Sequence, residues 1–294
     1  MLSQSFLFGD MRITRVLEMS GPTHDPGFLF PDLSAQDLQA EAKWLAPHHY
    51  QPSIDRLIIT IQIWMVQFEG RVILIDPGLG NGKRRPAERQ NMLKTLVPAW
   101  LAAAGATPDS VTDIVMTHLH ADHVGGCTVW RDDRWAAAFP RARHHIPRAE
   151  FDFVSERYAG GETGINSGAW VDSVLPLAEA GLIDLFEPGD ILFGRLHVAD
   201  AIGHTPGQVA LWLHDDDSHA VFSADIMHSP LQVRFPDLNT RYCVFPDRAR
   251  QTRAAFLARA AQTAAIIMPM HFGWPYRGRI ASGSEGYSFE PLAW

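Results

Sequence analysis

The stretch MTHLHADHVGG (residues 116–126) places three histidines and one aspartate within six positions, His118 to His123. It follows the short apolar segment DIVMT (113–117), which predicts a buried strand. Where a strand opens into a turn, His118 and His120 can project to one side while Asp122 and His123 reach a second position nearby. Imidazole and carboxylate together suit zinc, and also iron, cobalt or manganese. The stretch therefore predicts a metal site, against the alternative of a histidine-rich loop that binds no metal.

Three further metal-binding side chains follow apolar segments later in the chain. His204 lies in AIGHTPGQ (201–208), Asp225 in FSADIMH (222–228) and His271 in MPMHF (268–272). Each segment predicts a strand that ends just before the donor residue. Because strand ends gather side chains at one edge of a sheet, we expect these residues to supply the remaining ligands.

The rest of the chain predicts alternating strands and helices. Alternation of apolar and polar residues over 59–65, a Glu69-Gly70 turn and an apolar run at 72–75 predict a hairpin within 56–80. Helical spacing predicts helices over 92–101, ended by Gly105, and over 247–262, capped by Asp247. Strands are predicted at 195–201, 208–214, 219–225 and 264–271. Two proline-containing segments, 20–55 and 229–247, predict long ordered loops instead.

Composition bounds the class of protein. The 294 residues, 46% of them hydrophobic, suit one domain over 1–294 with an N-terminal arm at about 20–55 and a loop insertion at about 229–247. The net charge of −8 argues against a nucleic-acid partner, and the basic run GKRRPAER (82–89) is interpreted as a solvated loop. No apolar run predicts a membrane span or a signal peptide, so we expect a cytoplasmic protein with no membrane partner. Cys127 and Cys243 are expected to be buried, inert thiols.

The order H-x-H-x-D-H, then H, D and H, resembles the metallo-β-lactamase superfamily in its dinuclear hydrolase branch. The resemblance implies an α/β fold, a four-layer αββα sandwich of two mixed β-sheets flanked by helices. It also implies that one metal is bound by His118, His120 and His204, a second by Asp122, His123 and His271, and that Asp225 bridges the two. Asp76 in LIDPG (74–78) would hold the ligand loop in place.

The chemistry implied by this resemblance is hydrolysis with two divalent metal ions and no organic cofactor. Zinc is the expected metal, with iron, cobalt and manganese as alternatives. A metal-bridging hydroxide would attack a lactone or carboxylic ester of a small apolar substrate, which is an EC 3.1 activity. The expected catalytic residues are Asp122 or Asp225 as proton acceptor and His228 as proton shuttle.

The substrate class remains open between two related groups. The chain resembles N-acyl-homoserine lactonases and methyl parathion hydrolases, and its tail MPMHFGWPYRGRIASGSEGYSFEPL (268–292) is similar to the latter. A phosphotriesterase or aryl-ester hydrolase is therefore the alternative, and a catalytically silent metal-binding protein is a third. His228 stands where such lactonases usually carry tyrosine. It either acts on the substrate or is a solvent-facing loop residue.

Aromatic and aliphatic residues of the two proline-containing segments and the tail would form the apolar wall of the pocket. The expected substrate contacts are Phe28, Phe30, Trp44, Leu231, Phe235, Phe272 and Trp274. Core packing or a dimer interface is the alternative for each. The resemblance and the aromatic arm also predict a homodimer that acts on a small molecule.

Overall fold

The structure is a computed structural model that describes residues 3–294. The chain divides into two compact units. The first comprises residues 3–18 and Ile61–Glu187, and the second comprises Met19–Thr60 and Pro188–Trp294. The single domain over 1–294, with its arm and loop insertion, stays a prediction. Within the described residues, no helix combines the length and the apolar character that crossing a membrane requires.

The strands and helices alternate along the chain. The strands are β1 (Ser3–Phe8), β2 (Met11–His24), β3 (Tyr50–Gln51), β4 (Arg56–Phe68), β5 (Arg71–Ile75), β6 (Asp113–Val115), β7 (Thr128–Arg131), β8 (Arg134–Ala137), β9 (Arg143–Pro147), β10 (Ile183–Phe186), β11 (Ile191–Leu192), β12 (Leu196–Asp200), β13 (Val209–Asp215), β14 (Ser218–Phe222), β15 (Ile266–Met268), β16 (Gly278–Gly283) and β17 (Gly286–Pro291). The α-helices are α1 (Pro26–Leu29), α2 (Ala35–Leu45), α3 (Val97–Ala103), α4 (Ala121–Val124), α5 (Arg148–Ala159), α6 (Leu175–Glu179), α7 (Leu231–Arg234) and α8 (Pro246–Gln262).

One mixed sheet has the strand order β1-β2-β4-β5-β6-β9-β10, with β3 paired to β4. The predicted hairpin is confirmed as β4 and β5, whose turn residues Glu69 and Gly70 both have positive φ, as a tight hairpin turn requires. From β5 onwards the sheet is parallel, so β5 and β6 end at the same edge. That edge carries Asp76 after β5 and His118 after β6.

The other mixed sheet has the order β11-β12-β13-β14-β15-β16-β17 and lies in the second unit. All its pairings are antiparallel except β14 with β15. Because β12, β14 and β15 run in the same direction, they end at the same edge of the sheet. His204, Asp225 and His271 follow these three ends, as the sequence predicted.

A helix replaces part of the loop expected over 20–55. Helix α2 begins after Ser34, whose hydroxyl accepts a hydrogen bond from the Asp37 N–H at 3.0 Å. Leu38, Ala42 and Leu45 lie on its buried face at helical spacing. The loop prediction was wrong here, because the prolines that prompted it flank the helix and do not enter it.

Two helices begin at positions that differ from the predicted ones, and each has a proline in its first turn. Helix α3 begins at Val97 with Pro98 in its first turn, whereas Met92 has a φ of 52°, so the prediction was wrong over 92–96. Helix α8 begins at Pro246. Asp247 lies in its first turn and accepts from Arg250 Nη1 at 2.7 Å, instead of capping the helix. A proline sets the helical φ and needs no N–H partner, which favours it at a helix start.

The interpretation of the basic run 82–89 as a solvated loop holds for its exposed residues but is wrong for two of its basic side chains. Lys83 and Arg85 are buried. Arg85 donates two hydrogen bonds to the Asp172 carboxylate, at 2.6 and 2.9 Å, and Lys83 Nζ donates to Thr128 Oγ1 at 2.7 Å. Burial lowers the pKa of Lys83 to about 8. The partner that makes this burial tolerable lies far along the chain, so local sequence gave no sign of it.

Candidate functional site

The histidine-rich loop of the first unit leads from β6 into the short helix α4. His118 and His123 are buried, and their ring centroids lie 4.0 Å apart. His120 meets His118 edge to face with centroids 4.7 Å apart. Asp122 keeps 23% of its side chain exposed, and its Oδ1 lies 3.8 Å from His123 Nε2. The loop thus brings together the four side chains that the sequence singled out.

Asp76 holds this loop through three hydrogen bonds. Its carboxylate accepts from the Thr117 N–H and the Thr117 hydroxyl, both at 2.7 Å, and from His123 Nδ1 at 2.9 Å. His118 Nδ1 lies 3.2 Å from the same Thr117 hydroxyl. Since an ionised carboxylate only accepts hydrogen bonds, His123 carries its hydrogen on Nδ1 and presents the lone pair of Nε2. This is the orientation that a metal-binding imidazole needs.

The glycines after the histidines allow two loops to pack backbone to backbone. A Cβ on Gly125 would lie 1.8 Å from the Leu79 carbonyl oxygen, and one on Gly126 would lie 2.0 Å from the Pro77 oxygen. Gly125 has ordinary helical dihedrals, so the requirement for glycine is steric. The DPGLG loop (76–80) and the ligand loop are therefore held in contact by residues without side chains.

Glu18 supports the same loop from β2, and the sequence analysis missed it. Its carboxylate accepts hydrogen bonds from the Leu79 N–H at 2.6 Å and the Gly80 N–H at 3.1 Å. Burial raises the pKa of Glu18 to about 7, although the two hydrogen bonds act in the opposite direction. The sequence offered no distinctive signal for it, because other buried positions of β2 are also polar or charged.

In the second unit, a buried carboxylate lies among three imidazoles. Asp225 Oδ2 lies 3.2 Å from His204 Nε2 and 3.2 Å from His228 Nε2, and Asp225 Oδ1 lies 3.0 Å from His271 Nε2. Asp225, His228 and His271 each offer a ligand atom within 4.8 Å of the others. The rings of His228 and His271 are stacked, with centroids 4.9 Å apart. His228 is 6% exposed, so the interpretation as a solvent-facing residue is wrong.

The hydrogen bonds of these residues define the form of His271. Its Nδ1 lies 2.7 Å from the Thr60 carbonyl oxygen, which can only accept, so Nδ1 carries a hydrogen. The neutral ring would then aim the lone pair of Nε2 at the Asp225 carboxylate. Two sets of lone pairs at 3.0 Å repel each other unless a cation lies nearby. The donor set therefore fits a shared positive charge, and its imidazoles and carboxylate suit a divalent transition metal.

Two glutamines and a thiol position the residues around Asp225. Gln208 Oε1 accepts from the Asp225 N–H at 3.2 Å, and Gln232 Oε1 accepts from the His228 N–H at 2.6 Å. Cys243 Sγ lies 3.9 Å from His204 Nδ1. Cys243 is partly exposed, whereas the prediction of a buried thiol is confirmed for Cys127. Sequence analysis did not identify the glutamines, because uncharged residues in apolar segments carry no distinctive pattern.

The structure places the seven expected substrate contacts in different environments of the second unit. Phe30 and Leu231 are fully buried in one hydrophobic cluster, against which Phe235 packs. Phe272 is buried in another cluster. The remaining three are 40% to 47% exposed: Phe28, Trp44 and Trp274. The Arg241 guanidinium carbon lies over the Phe28 ring, 4.0 Å from the ring centroid. Their contact with substrate stays a prediction.

Comparisons with known proteins identify the family of this fold. The family model described as the metallo-beta-lactamase superfamily matches residues 59–271. No curated protein is similar enough in sequence to count as a match. Among solved structures, the hydrolase AbOPH in the beta lactamase superfamily is 25% identical, with a TM-score of 0.82 over 99% of this chain and 98% of that chain.

Two further solved structures are similar in fold. AidC, a dizinc quorum-quenching lactonase in complex with the product N-hexanoyl-L-homoserine, is 21% identical, with a TM-score of 0.79 over 100% of this chain and 99% of that chain. A probable metal-dependent hydrolase from Staphylococcus aureus is 19% identical, with a TM-score of 0.78 over 98% and 99% of the two chains.

Proposed function

The chain belongs to the metallo-β-lactamase superfamily, and from this premise we propose that it is a dinuclear metallohydrolase acting on lactones or carboxylic esters of small apolar substrates. The predicted α/β fold, with mixed sheets flanked by helices, is confirmed, as is the predicted relationship to hydrolases of this superfamily. Hydrolysis is thus its general activity. The lactonase or esterase specificity and the residue roles below are the proposal.

The proposed ligands divide into two sets and a bridge. One metal would be held by His118, His120 and His204, the other by Asp122, His123 and His271, with Asp225 between them. The support is the donor chemistry: histidines and aspartates suited to divalent cations, in the order that the superfamily motif has. When bound, two such cations, zinc in the first instance, supply Lewis acidity that lowers the pKa of water and polarises a carbonyl.

The observation that carries the proposal is the environment of Asp225. This buried carboxylate lies 3.0 to 3.2 Å from three imidazole nitrogens, and the His271 ring, whose Nδ1 hydrogen is used by the Thr60 carbonyl, can offer it only a lone pair when neutral, which favours a cation between them. Each of these residues follows a strand end and is held by a backbone or glutamine hydrogen bond or by the neighbouring thiol. Such prepositioned donors are typical of a catalytic metal site.

Proton transfer is assigned to three side chains. Asp122, which is partly exposed, or Asp225 accepts the proton released by the attacking water. His228 Nε2 delivers a proton to the leaving oxygen, and its ring is kept in place by stacking on His271 and by the Gln232 hydrogen bond. The lactone preference is supported by the fold likeness to a quorum-quenching lactonase. A homodimer in the cytoplasm remains proposed, and the exposed Phe28, Trp44 and Trp274 are candidates for the dimer interface.

The test is kcat/KM of the zinc-loaded protein over a matched panel of substrates. The panel contains short and long N-acyl-homoserine lactones, a γ-lactone, p-nitrophenyl esters and a dimethyl aryl phosphotriester. We expect lactones or carboxylic esters to be the best substrates. A higher kcat/KM for the phosphotriester than for any lactone or ester would favour the phosphotriesterase alternative. Tightly bound metal without turnover of any substrate would favour a catalytically silent metal-binding protein.

A further inference from the structure

Three histidines gather on one face of the second unit's sheet, outside the donors described above. His197 lies on β12, His214 on β13 and His219 on β14. His197 pairs with Trp212, two residues before His214, and His214 pairs directly with His219. Since residues two apart on a strand share a face, the register places all three imidazoles side by side.

The cluster lies at the opposite end of these strands from the proposed catalytic donors. His214 lies one residue before the end of β13 and His219 one residue after the start of β14, whereas Asp225 follows the end of β14. The extended part of β14 from His219 to Phe222 alone spans about 10 Å, and a tight turn lies between it and Asp225. The cluster is therefore a separate feature, and all three rings are partly exposed to solvent.

Two of the three imidazoles meet nitrogen to nitrogen. His214 Nδ1 and His219 Nδ1 lie 2.8 Å apart, the distance of a hydrogen bond in which one neutral ring donates to the other. A metal ion bound by both rings would take the place of the shared hydrogen. The ring of His197 stands edge to face with His214, with centroids 4.5 Å apart, and a change of its rotamer would be needed to bring a third nitrogen to the same ion.

The local charge also suits a cation. The turn between His214 and His219 has the sequence DDD (215–217), which gives this end of the hairpin a negative charge. Arg259 is a nearby positive charge that acts against the binding of a cation. Its guanidinium lies 3.7 Å from the Trp212 ring centroid. Burial, the two neighbouring histidines and Arg259 together lower the pKa of His214. The neutral imidazole that results is the form that binds metals.

We propose that His197, His214 and His219 form a second metal site that takes a divalent transition metal of the Cu(II) or Ni(II) class. Imidazole nitrogens suit these ions, which stand highest among the divalent metals in affinity for nitrogen ligands. A metal here would join three adjacent strands and would stabilise the folded state, because the unfolded chain lacks the register that assembles the ligands.

The experiment titrates Cu²⁺ into the zinc-loaded holoenzyme and follows binding by calorimetry and by electron paramagnetic resonance. We expect one additional equivalent of copper with nitrogen hyperfine coupling from at least two imidazoles, a rise in Tm, and no release of zinc. His214→Gln and His219→Gln should each weaken copper binding by at least about tenfold, and His197→Gln by a smaller factor. His48→Gln, which removes an exposed histidine elsewhere, is the matched control.

Either of two results would overturn the proposal. Copper that binds only by displacing zinc, or that binds the His214 and His219 variants as tightly as the parent protein, would exclude the site. The Tm of each variant without copper, compared with that of the parent protein, separates lost binding from lost folding.

Discussion

The two groups of proposed metal ligands differ in how the chain brings them together. In the first unit, four donors lie within six residues of one loop, from His118 to His123. In the second unit, His204, Asp225 and His271 follow the ends of three different strands. The first group depends on the conformation of a single loop, and the second depends on the assembly of a sheet.

The two groups of donors are also held in place by different kinds of interaction. The loop of the first unit is held by Asp76, by Glu18 and by glycines that let two backbones touch. The donors of the second unit are placed by parallel strand directions and then adjusted by single hydrogen bonds, such as that from His271 to the Thr60 carbonyl. Substitutions around the loop should therefore act through its position, whereas substitutions in the second unit should act through individual donors.

The largest effect is expected for Asp225→Ala. Removing the carboxylate that three imidazoles face should lower kcat/KM by roughly 10³-fold or more and reduce the metal content. Asp225→Asn, which keeps the shape and removes the charge, should lose nearly as much, while the exposed Asp109→Ala should lose nothing. Metal analysis and steady-state kinetics check this, and a fully active Asp225→Ala protein would contradict the proposed site.

Gly125→Ala should have the next largest effect, on stability. The added Cβ would lie 1.8 Å from the Leu79 carbonyl oxygen, so the two loops must separate, at a cost of about 1 to 3 kcal/mol. Gly164→Ala is the matched control, because nothing lies within 4 Å of its Cβ and its φ is negative. Denaturant unfolding of both variants measures the difference. Equal stability of the two would show that the loop packing is unimportant.

Asp76→Asn tests the support of the first group without removing a ligand. An amide presents an NH₂ group to one of its two donor partners, so His123 or Thr117 loses its acceptor. We expect a loss of about 10- to 100-fold in metal affinity. Thr117→Val, which removes a single hydroxyl, should lose less. Metal competition with a chromophoric chelator gives the affinities, and an unchanged affinity in Asp76→Asn would refute the positioning role.

The most gradual effect is the pH dependence contributed by Glu18. The pKa of Glu18 is raised from 4.5 to about 7 in the folded state. Between pH 4.5 and 7 the Glu18 carboxyl is therefore protonated in the folded protein and ionised in the unfolded chain. Its contribution to stability is present in full below pH 4.5 and is lost as the pH rises to about 7, by at most about 1.4 kcal/mol per pH unit. Glu18→Gln should therefore gain stability relative to the parent protein over this window. Unfolding free energies at pH 5, 6 and 7 measure it, and a constant difference would contradict it.

Local patterns accounted for the elements that depend on neighbouring residues. The β4–β5 hairpin and the strand before His118 were predicted because alternation, turn residues and apolar runs act over a few positions. The prediction of a solvated loop over 82–89 was wrong for Lys83 and Arg85, because these two buried side chains are paired with Asp172, which lies far along the chain. It also missed Glu18, whose partners are backbone groups of another loop.

By itself, the sequence determined the family and predicted which side chains bind metal and in which order they occur, because the spacing in HLHADH is a local property and each later donor follows an apolar segment. Only the tertiary structure decided which side chains support these donors. Asp76, Glu18, Gln208 and Gln232 act through hydrogen bonds between segments distant in the chain. The cluster of His197, His214 and His219 likewise exists only because of strand register. A short motif encodes ligand chemistry, whereas long-range pairing encodes the environment that gives the chemistry its position and charge.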